Sequence, residues 1–116
     1  MREFFPEVKK VTFEGPDSKN PLAFKHYNPK QKVMGKTMAE HLRFAVCYWH
    51  TFKGLGADQF GANTIVRSYN DAADPMECAE QTMHAAFEFF TKLGVNFWFT
   101  PNLVKNSKAA CMVCSA

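Results

Sequence analysis

The residues most suggestive of chemistry are two thiols near the end of the sequence, Cys111 and Cys114, in a C-x-x-C arrangement. Such a pair can bind zinc or cycle between dithiol and disulfide. A zinc site needs further ligands, and the sequence has neither a second C-x-x-C pair nor a histidine near this one. We therefore interpret Cys111 and Cys114 as incidental thiols. Because the sequence shows no secretory signal, we expect Cys47 and Cys78 to be reduced as well.

The histidines are spread singly along the chain, so they do not suggest a catalytic cluster. They are His26, His41, His50 and His84. An isolated imidazole is more often solvent-facing or hydrogen-bonded than catalytic. The sequence also contains nothing that resembles a nucleophile elbow or a glycine-rich phosphate loop.

The elements that would position any site begin after residue 36. Thr37 and Glu40 have the spacing of a capping box, which predicts a short helix. Residues 44–52 are almost continuously apolar and aromatic, which is typical of a strand buried on both faces. A helix that continues from Thr37 is the competing interpretation. Residues 53–73 contain several Gly and Asn without periodicity, which predicts a long loop.

The clearest element is a helix between Asp74 and Gly94. Asp74 is a typical N-cap, Pro75 suits the first helical position, and Gly94 is a typical stop signal. Apolar residues at intervals of three and four predict one buried face. This face comprises Met76, Ala79, Met83, Ala86, Phe87, Phe90 and Leu93.

Residues 95–99 follow this helix as a second predicted strand. Two buried strands joined by a helix form a βαβ unit, which predicts a parallel sheet and a right-handed crossover. Residues 1–36, rich in Pro, Gly, Asn and Lys, are predicted to form an extended N-terminal arm. We therefore divide the chain into an arm (1–36), a βα unit with its following strand (37–100), and a tail (101–116).

Composition excludes several classes of function. The chain has 116 residues, of which 47% are hydrophobic and 22% charged, so we expect one globular domain or part of one. Its 14 basic and 11 acidic residues are scattered, which argues against a nucleic-acid partner. No apolar stretch approaches the roughly 20 residues that a bilayer span requires. We expect a cytoplasmic protein without a membrane partner.

Four ordered blocks resemble the longer class of xylose isomerases. They are residues 14–16 (Glu-Gly-Pro), 18–24 (Ser-Lys-Asn-Pro-Leu-Ala-Phe), 48–52 (Tyr-Trp-His-Thr-Phe) and 58–61 (Asp-Gln-Phe-Gly). The resemblance covers about residues 5–95. It implies an α/β fold, here an incomplete TIM (β/α)₈ barrel fragment with an extended N-terminal arm. It also implies a family reaction, the isomerisation of D-xylose to D-xylulose with two divalent cations, usually magnesium or manganese, in a homo-oligomer.

The resemblance implies two substrate-binding residues. Trp49 matches the tryptophan that forms an apolar wall of the sugar site, and its alternative role is that of an ordinary core aromatic. Phe60 matches the phenylalanine that reaches into the site of a neighbouring subunit. A Phe in a long unperiodic loop suggests an interface. The alternative is that Phe60 folds back onto its own subunit.

The chain departs from the family pattern at the second strand, where the family has a Phe-His-Asp block and this sequence has residues 97–99 as Phe-Trp-Phe. No histidine follows His84 and no acid follows Glu88. Because two hard divalent ions need several convergent carboxylates, we predict no catalytic residue, no metal ligand and no bound cofactor in this chain.

The tail has two interpretations. Residues 98–103 faintly resemble the third-strand segment of the family, as an internal deletion would produce, and a frameshifted or unstructured tail is the other interpretation. The sequence therefore predicts a fragment of the xylose isomerase family that is inactive alone. The alternatives are a catalytically dead module that binds intact isomerase subunits, and a gene-model artefact without function.

Overall fold

A computed structural model of the chain describes residues 2–99 and the backbone of 114–115. Its regular elements, in chain order, are strands β1 (Lys32–Val33) and β2 (Lys36–Thr37), helix α1 (Met38–His41), strand β3 (Ala45–Cys47), a π-helical turn (Trp49–Lys53), helix α2 (Pro75–Leu93), and strands β4 (Phe97–Phe99) and β5 (Cys114–Ser115). Apart from β5, the tail predicted for residues 101–116 lies outside the described residues, as does Cys111.

The larger sheet contains the predicted parallel pair. Strands β3 and β4 run parallel with Ala45 opposite Phe97 and Cys47 opposite Phe99, which confirms the predicted parallel pairing. Strand β5 adds to the far edge of β4 in the antiparallel direction. The described strands thus form one mixed sheet of three strands and a separate hairpin, and they do not include a closed barrel.

The first buried strand is much shorter than predicted. Residues 44–52 were expected to be a strand buried on both faces, but β3 ends at Cys47 and the chain enters the π-helical turn at Trp49. The alternative helix is also wrong, because α1 ends at His41 before the strand begins. The turn follows from burial: it brings Phe52, which is 1% exposed, into the core. Phe44 at the other end of the run is 55% exposed.

The predicted capping box is present at α1. The Thr37 hydroxyl accepts a hydrogen bond from the Glu40 backbone N–H at 3.3 Å, and the Glu40 carboxylate accepts one from the Thr37 N–H at 2.6 Å. Just before it, β1 and β2 form a hairpin that the sequence analysis did not predict. Met34 and Gly35 at its tip both have positive φ, as a two-residue hairpin turn requires. The hairpin crosses the boundary predicted at residue 36.

Helix α2 begins and ends where the sequence predicts. The Asp74 carboxylate accepts from the Glu77 N–H at 3.0 Å, Pro75 is the first helical residue, and Gly94 adopts the left-handed conformation at φ 76°. The predicted buried face is wrong in part, because Met76 is 68% exposed and Met83 44% exposed. The residues of α2 that are buried are Thr82, Ala85, Ala86 and Phe90.

Thr82 explains why the buried face differs from the predicted one. Its hydroxyl donates to the Cys78 carbonyl at 2.7 Å and lies 3.1 Å from the Asn70 side-chain oxygen, so a polar residue can be fully buried. Ala85 and Ala86 nearby are buried as well, at 0% and 1% exposure. The predicted face correctly includes Ala86 and Phe90 but leaves out Thr82, because a search for apolar periodicity passes over a polar residue.

The core is a cluster of aromatic rings around Phe52. The Phe52 ring lies 5.6 Å from Phe89, 5.9 Å from Phe90 and 6.0 Å from Tyr69, measured between centroids. The pairs with Phe89 and Phe90 are edge-on, which is a favoured geometry for aromatic contacts, and the pair with Tyr69 is tilted. We call Phe52, Tyr69, Phe89 and Phe90 the aromatic core. It joins the end of the π-helical turn to the long loop and to α2.

The start of the chain is fastened to α2 by two charged side chains, Glu88 and Lys92, which we call the clasp. The Glu88 carboxylate accepts hydrogen bonds from the backbone N–H groups of Phe4 and Phe5 at 2.7 and 3.0 Å. The Lys92 ammonium lies 2.8 Å from Glu88 and 2.7 Å from Glu3. The Val11 N–H also donates to the Lys92 carbonyl at 2.7 Å, so residues 3–11, which we call the N-terminal strap, are held against the helix at both ends.

The electrostatics of the clasp follow from these contacts. Burial alone would raise the pKa of Glu88, but the Lys92 ammonium and the N–H groups of Phe4 and Phe5 outweigh it and lower that pKa. Hydrogen bonds to Glu3 and then Glu88 raise the pKa of Lys92. Both groups are thus stabilised in their charged forms.

Candidate functional site

The candidate site lies where the parallel strands β3 and β4 end. Cys47 and Phe99 are register partners at the carboxyl ends of these strands. In α/β folds, ligands bind at this edge of a parallel sheet, because the loops that follow the strands converge there. The π-helical turn and the long loop after it both leave from this edge, so they are the segments to inspect for ligand-binding residues.

Trp49 is the first residue of the π-helical turn and is 43% exposed. Its neighbour Tyr48 faces the interior instead, with its ring 5.6 Å from Phe52 and 6.4 Å from Trp98. Burial, and to a lesser degree the nearby Tyr69, raises the pKa of the Tyr48 phenol. Trp49 therefore stands outside the buried core and presents an apolar surface at the carboxyl edge.

Phe60 lies in the long loop between the π-helical turn and α2, and 89% of its surface is exposed. Its backbone N–H donates to the Asp58 carboxylate at 2.7 Å, so a local turn fixes the backbone next to the ring. An exposure this high means that the ring does not fold back onto the described part of its own chain. The side chain is available for contact with another surface.

Of the cavities among the described residues, the two most clearly formed are lined by residues other than Trp49 and Phe60. The first, of about 360 Å³, lies near the amino ends of β3 and β4 and is lined mainly by apolar residues, among them Phe24, Ala45 and Phe97. The second, of about 300 Å³, lies beside the aromatic core, against Arg67 and Tyr69. Neither cavity therefore contributes to the geometry around the two predicted site residues, whose side chains are 43% and 89% exposed.

The described residues do not offer a donor set for a divalent cation. Within residues 2–99, no three or more His, Cys, Asp and Glu side chains converge in a way that could hold a metal ion. Magnesium and manganese prefer several oxygen ligands at one point. The magnesium or manganese sites of the family therefore do not fit the residues described for this chain.

Sequence reasoning missed two residues that organise this edge, Arg67 and Tyr69. Tyr69 is 4% exposed and belongs to the aromatic core, although it lies in a loop. The Arg67 guanidinium donates to the Tyr69 hydroxyl at 2.7 Å. The signal available in the sequence was an arginine close to an aromatic residue within an otherwise small and polar loop.

No helix among the described residues is long and apolar enough to cross a bilayer.

Comparison with known proteins finds relatives that are named xylose isomerases. The chain is 60% identical to the xylose isomerase of Marinomonas sp. over 98 residues, 53% identical to that of Actinobacillus pleuropneumoniae serotype 5b over 98 residues, and 55% identical to that of Caldanaerobacter subterraneus over 96 residues. No protein-family model matches the sequence.

These matches cover 83–84% of this chain but 22% of each relative, so the chain spans about a fifth of the length of the curated relatives it matches. The identity is high and extends over most of the chain. Over the matched residues, the chain is a fragment of the xylose isomerase family.

Proposed function

We propose that this chain forms the first βα unit of a xylose isomerase barrel and supplies an aromatic wall of its sugar site. The observation that carries the proposal is the exposed indole of Trp49, two residues beyond the carboxyl end of a strand paired in parallel with β4. An indole face packs against the C–H surface of a sugar ring and excludes water from it. The remaining strands of the barrel, its proton-transfer groups and its metal ligands come from sequence outside this chain.

The proposal assigns the chain a binding role without a chemical step. The described residues offer no metal donor set, and neither a histidine nor an acid follows Glu88. The purified chain should therefore form no D-xylulose from D-xylose, with or without magnesium or manganese. Proton NMR of the sugar measures this directly, and metal-dependent conversion by the chain alone would contradict the proposal.

A complementation experiment tests the role of Trp49. The Marinomonas relative, shortened by the stretch that this chain matches, is co-expressed with this chain. We expect xylulose from the pair and from neither part alone. Trp49→Ala should lower kcat/KM by roughly 10- to 100-fold, the effect of losing one apolar ring contact. Met83→Ala is a matched control, because Met83 is 44% exposed and lies on α2. Equal losses of kcat/KM in Trp49→Ala and Met83→Ala would contradict the role of Trp49 as a wall of the sugar site.

A second candidate function is attachment to intact isomerase subunits, and the exposed ring of Phe60 favours it. A tagged chain mixed with the full-length Marinomonas enzyme should retain that enzyme on an affinity column. Phe60→Ala should reduce the retained enzyme about tenfold, as expected for an aromatic anchor at an interface. Met76→Ala, at a residue 68% exposed on α2 and outside the loop, is the control. A chain that elutes without the enzyme contradicts this candidate.

A further inference from the structure

The loop that carries Phe60 is pinched at its base. The Leu55 carbonyl accepts hydrogen bonds from the N–H groups of Thr64 and Ile65, at 3.1 and 3.2 Å. The Thr64 hydroxyl donates to the Gly56 carbonyl at 2.6 Å. Residues 54–56 thus lie beside residues 64–67, and we call this contact the neck. The residues between its two sides, 57–63, form a tip that contains Phe60.

Arg67 spans the neck with two donors. One terminal nitrogen donates to the Tyr69 hydroxyl at 2.7 Å, and the other approaches the Gly54 carbonyl at 3.4 Å. Its guanidinium carbon also lies 5.8 Å from the centre of the Tyr69 ring. Tyr69 is buried in the aromatic core, whereas Gly54 is the residue directly after the π-helical turn. Arg67 therefore joins the start of the loop to a residue fixed in the core.

The planar fork of arginine suits this bridge. Its terminal nitrogens are held at a fixed separation and orientation, whereas a lysine has one ammonium on a flexible stem. The Nε–H of Arg67 is buried and has no acceptor among the described residues. A buried donor without an acceptor is unfavourable. The benefit of this side chain thus lies in its terminal nitrogens, which bond both sides of the loop.

Gly56 on the opposite side of the neck leaves no room for a side chain. Its φ is +63°, and a Cβ atom there would lie 2.6 Å from both the Thr64 hydroxyl and the Ile65 side chain. The two sides of the neck are thus in close contact. A methyl group at position 56 has to push them apart.

We propose that Arg67 is a positioning residue for the Phe60 loop. By closing the neck onto Tyr69, it presents Phe60 on a preformed tip and holds the end of the π-helical turn that begins with Trp49. A preformed tip avoids the entropy of ordering a loop upon binding, which strengthens the interaction. The function of this arrangement rests on the proposed role of Phe60. The opening of the neck, however, can be measured without sugar or partner.

Amide hydrogen exchange on the full chain tests the neck. In Arg67→Lys we expect the amides of Thr64 and Ile65 to exchange about tenfold faster, because the neck opens locally. The amides of Ala85 and Ala86 in the buried face of α2 should stay within about twofold of the unmodified chain. Arg43→Lys, at an exposed arginine outside the loop, is the matched control and should change neither set.

Gly56→Ala opens the same neck by a steric route and should give the same pattern. Its control is Gly35→Ala, which has a comparable φ of +82° but no atom within 4 Å of the added methyl group. Unchanged exchange at Thr64 and Ile65 in Arg67→Lys overturns the proposal. Equal acceleration in the loop and in α2 also overturns it, because Arg67 would then stabilise the fold in general.

The same preparations distinguish this inference from the proposed function. Suppose that Arg67→Lys opens the neck but Phe60→Ala leaves sugar conversion and subunit binding unchanged. Arg67 then positions the loop as inferred, and the role proposed for Phe60 is wrong. If the neck stays closed in Arg67→Lys while Phe60→Ala weakens subunit binding, the role of Phe60 stands and the assignment of Arg67 is wrong.

Discussion

Replacing Phe52 by alanine should cost roughly 3–5 kcal/mol of unfolding free energy, the range for large-to-small changes at a buried aromatic. Phe52 is 1% exposed and its ring packs against Phe89, Phe90 and Tyr69. These partners come from α2 and from the long loop, so the substitution loosens three segments at once. Urea unfolding followed by far-UV circular dichroism measures the loss, with the unmodified chain as reference.

Phe60→Ala is the matched control, since it removes the same atoms from a ring that is 89% exposed. Its unfolding free energy should stay within about 0.5 kcal/mol of the unmodified chain, as for most surface substitutions. Similar urea midpoints for the Phe52 and Phe60 variants would mean that the aromatic core does not stabilise the fold.

The second large effect is expected at Glu88. Glu88→Gln keeps the shape of the side chain but removes the charge that pairs with Lys92. It also leaves one carbonyl oxygen to accept hydrogen bonds from the N–H groups of Phe4 and Phe5, which now donate to two carboxylate oxygens. We expect a loss of about 1.5–3 kcal/mol, the range for hydrogen bonds that involve a charged group. Glu80→Gln on the same helix, at an exposed residue, should have little effect.

The pH dependence of stability isolates the contribution of Glu88. Its pKa is lowered from 4.5 in the folded chain, so its contribution is fully present above 4.5 and is lost as the pH falls through the lowered value. Urea midpoints measured between about pH 7 and about pH 3 should fall less steeply in Glu88→Gln than in the unmodified chain. Parallel curves would show that the clasp does not hold the strap in solution.

Local signals in the sequence were enough for α2 and α1. Asp74, Pro75 and Gly94 act within one or two turns of the helix they delimit, and so do Thr37 and Glu40, so their effect does not depend on the rest of the fold. The parallel pairing of β3 with β4 followed from the order of the elements. These parts of the fold were predictable because short-range chemistry and simple connectivity determine them.

Tertiary contacts determined what the sequence did not reveal. The early end of β3 accompanies the burial of Phe52, and the buried face of α2 includes Thr82, whose hydroxyl lies beside the Asn70 side chain of the long loop. The clasp joins residues more than 80 positions apart. Periodicity along one element carries no information about such partners.

The candidate site also contains residues that the sequence suggested and one that only the structure revealed. Trp49 and Phe60 were chosen from their resemblance to family motifs, and both have exposed side chains in the structure. Their roles at a sugar remain predictions. The sequence marks Arg67 only as an arginine close to an aromatic residue, because its importance comes from the distance between Gly54 and Tyr69 in space.

The clasp also sets an order of events during synthesis on the ribosome. Phe4 leaves the ribosome 84 residues before Glu88, the side chain that fastens it. At translation rates of about 5–20 residues per second, this delay is roughly 4–17 s. During that interval the strap has no anchor, and Phe52 and Tyr69 lack their helical partners. Nascent chains should therefore be most open to chaperones, and to mispairing with other nascent chains, until α2 has emerged.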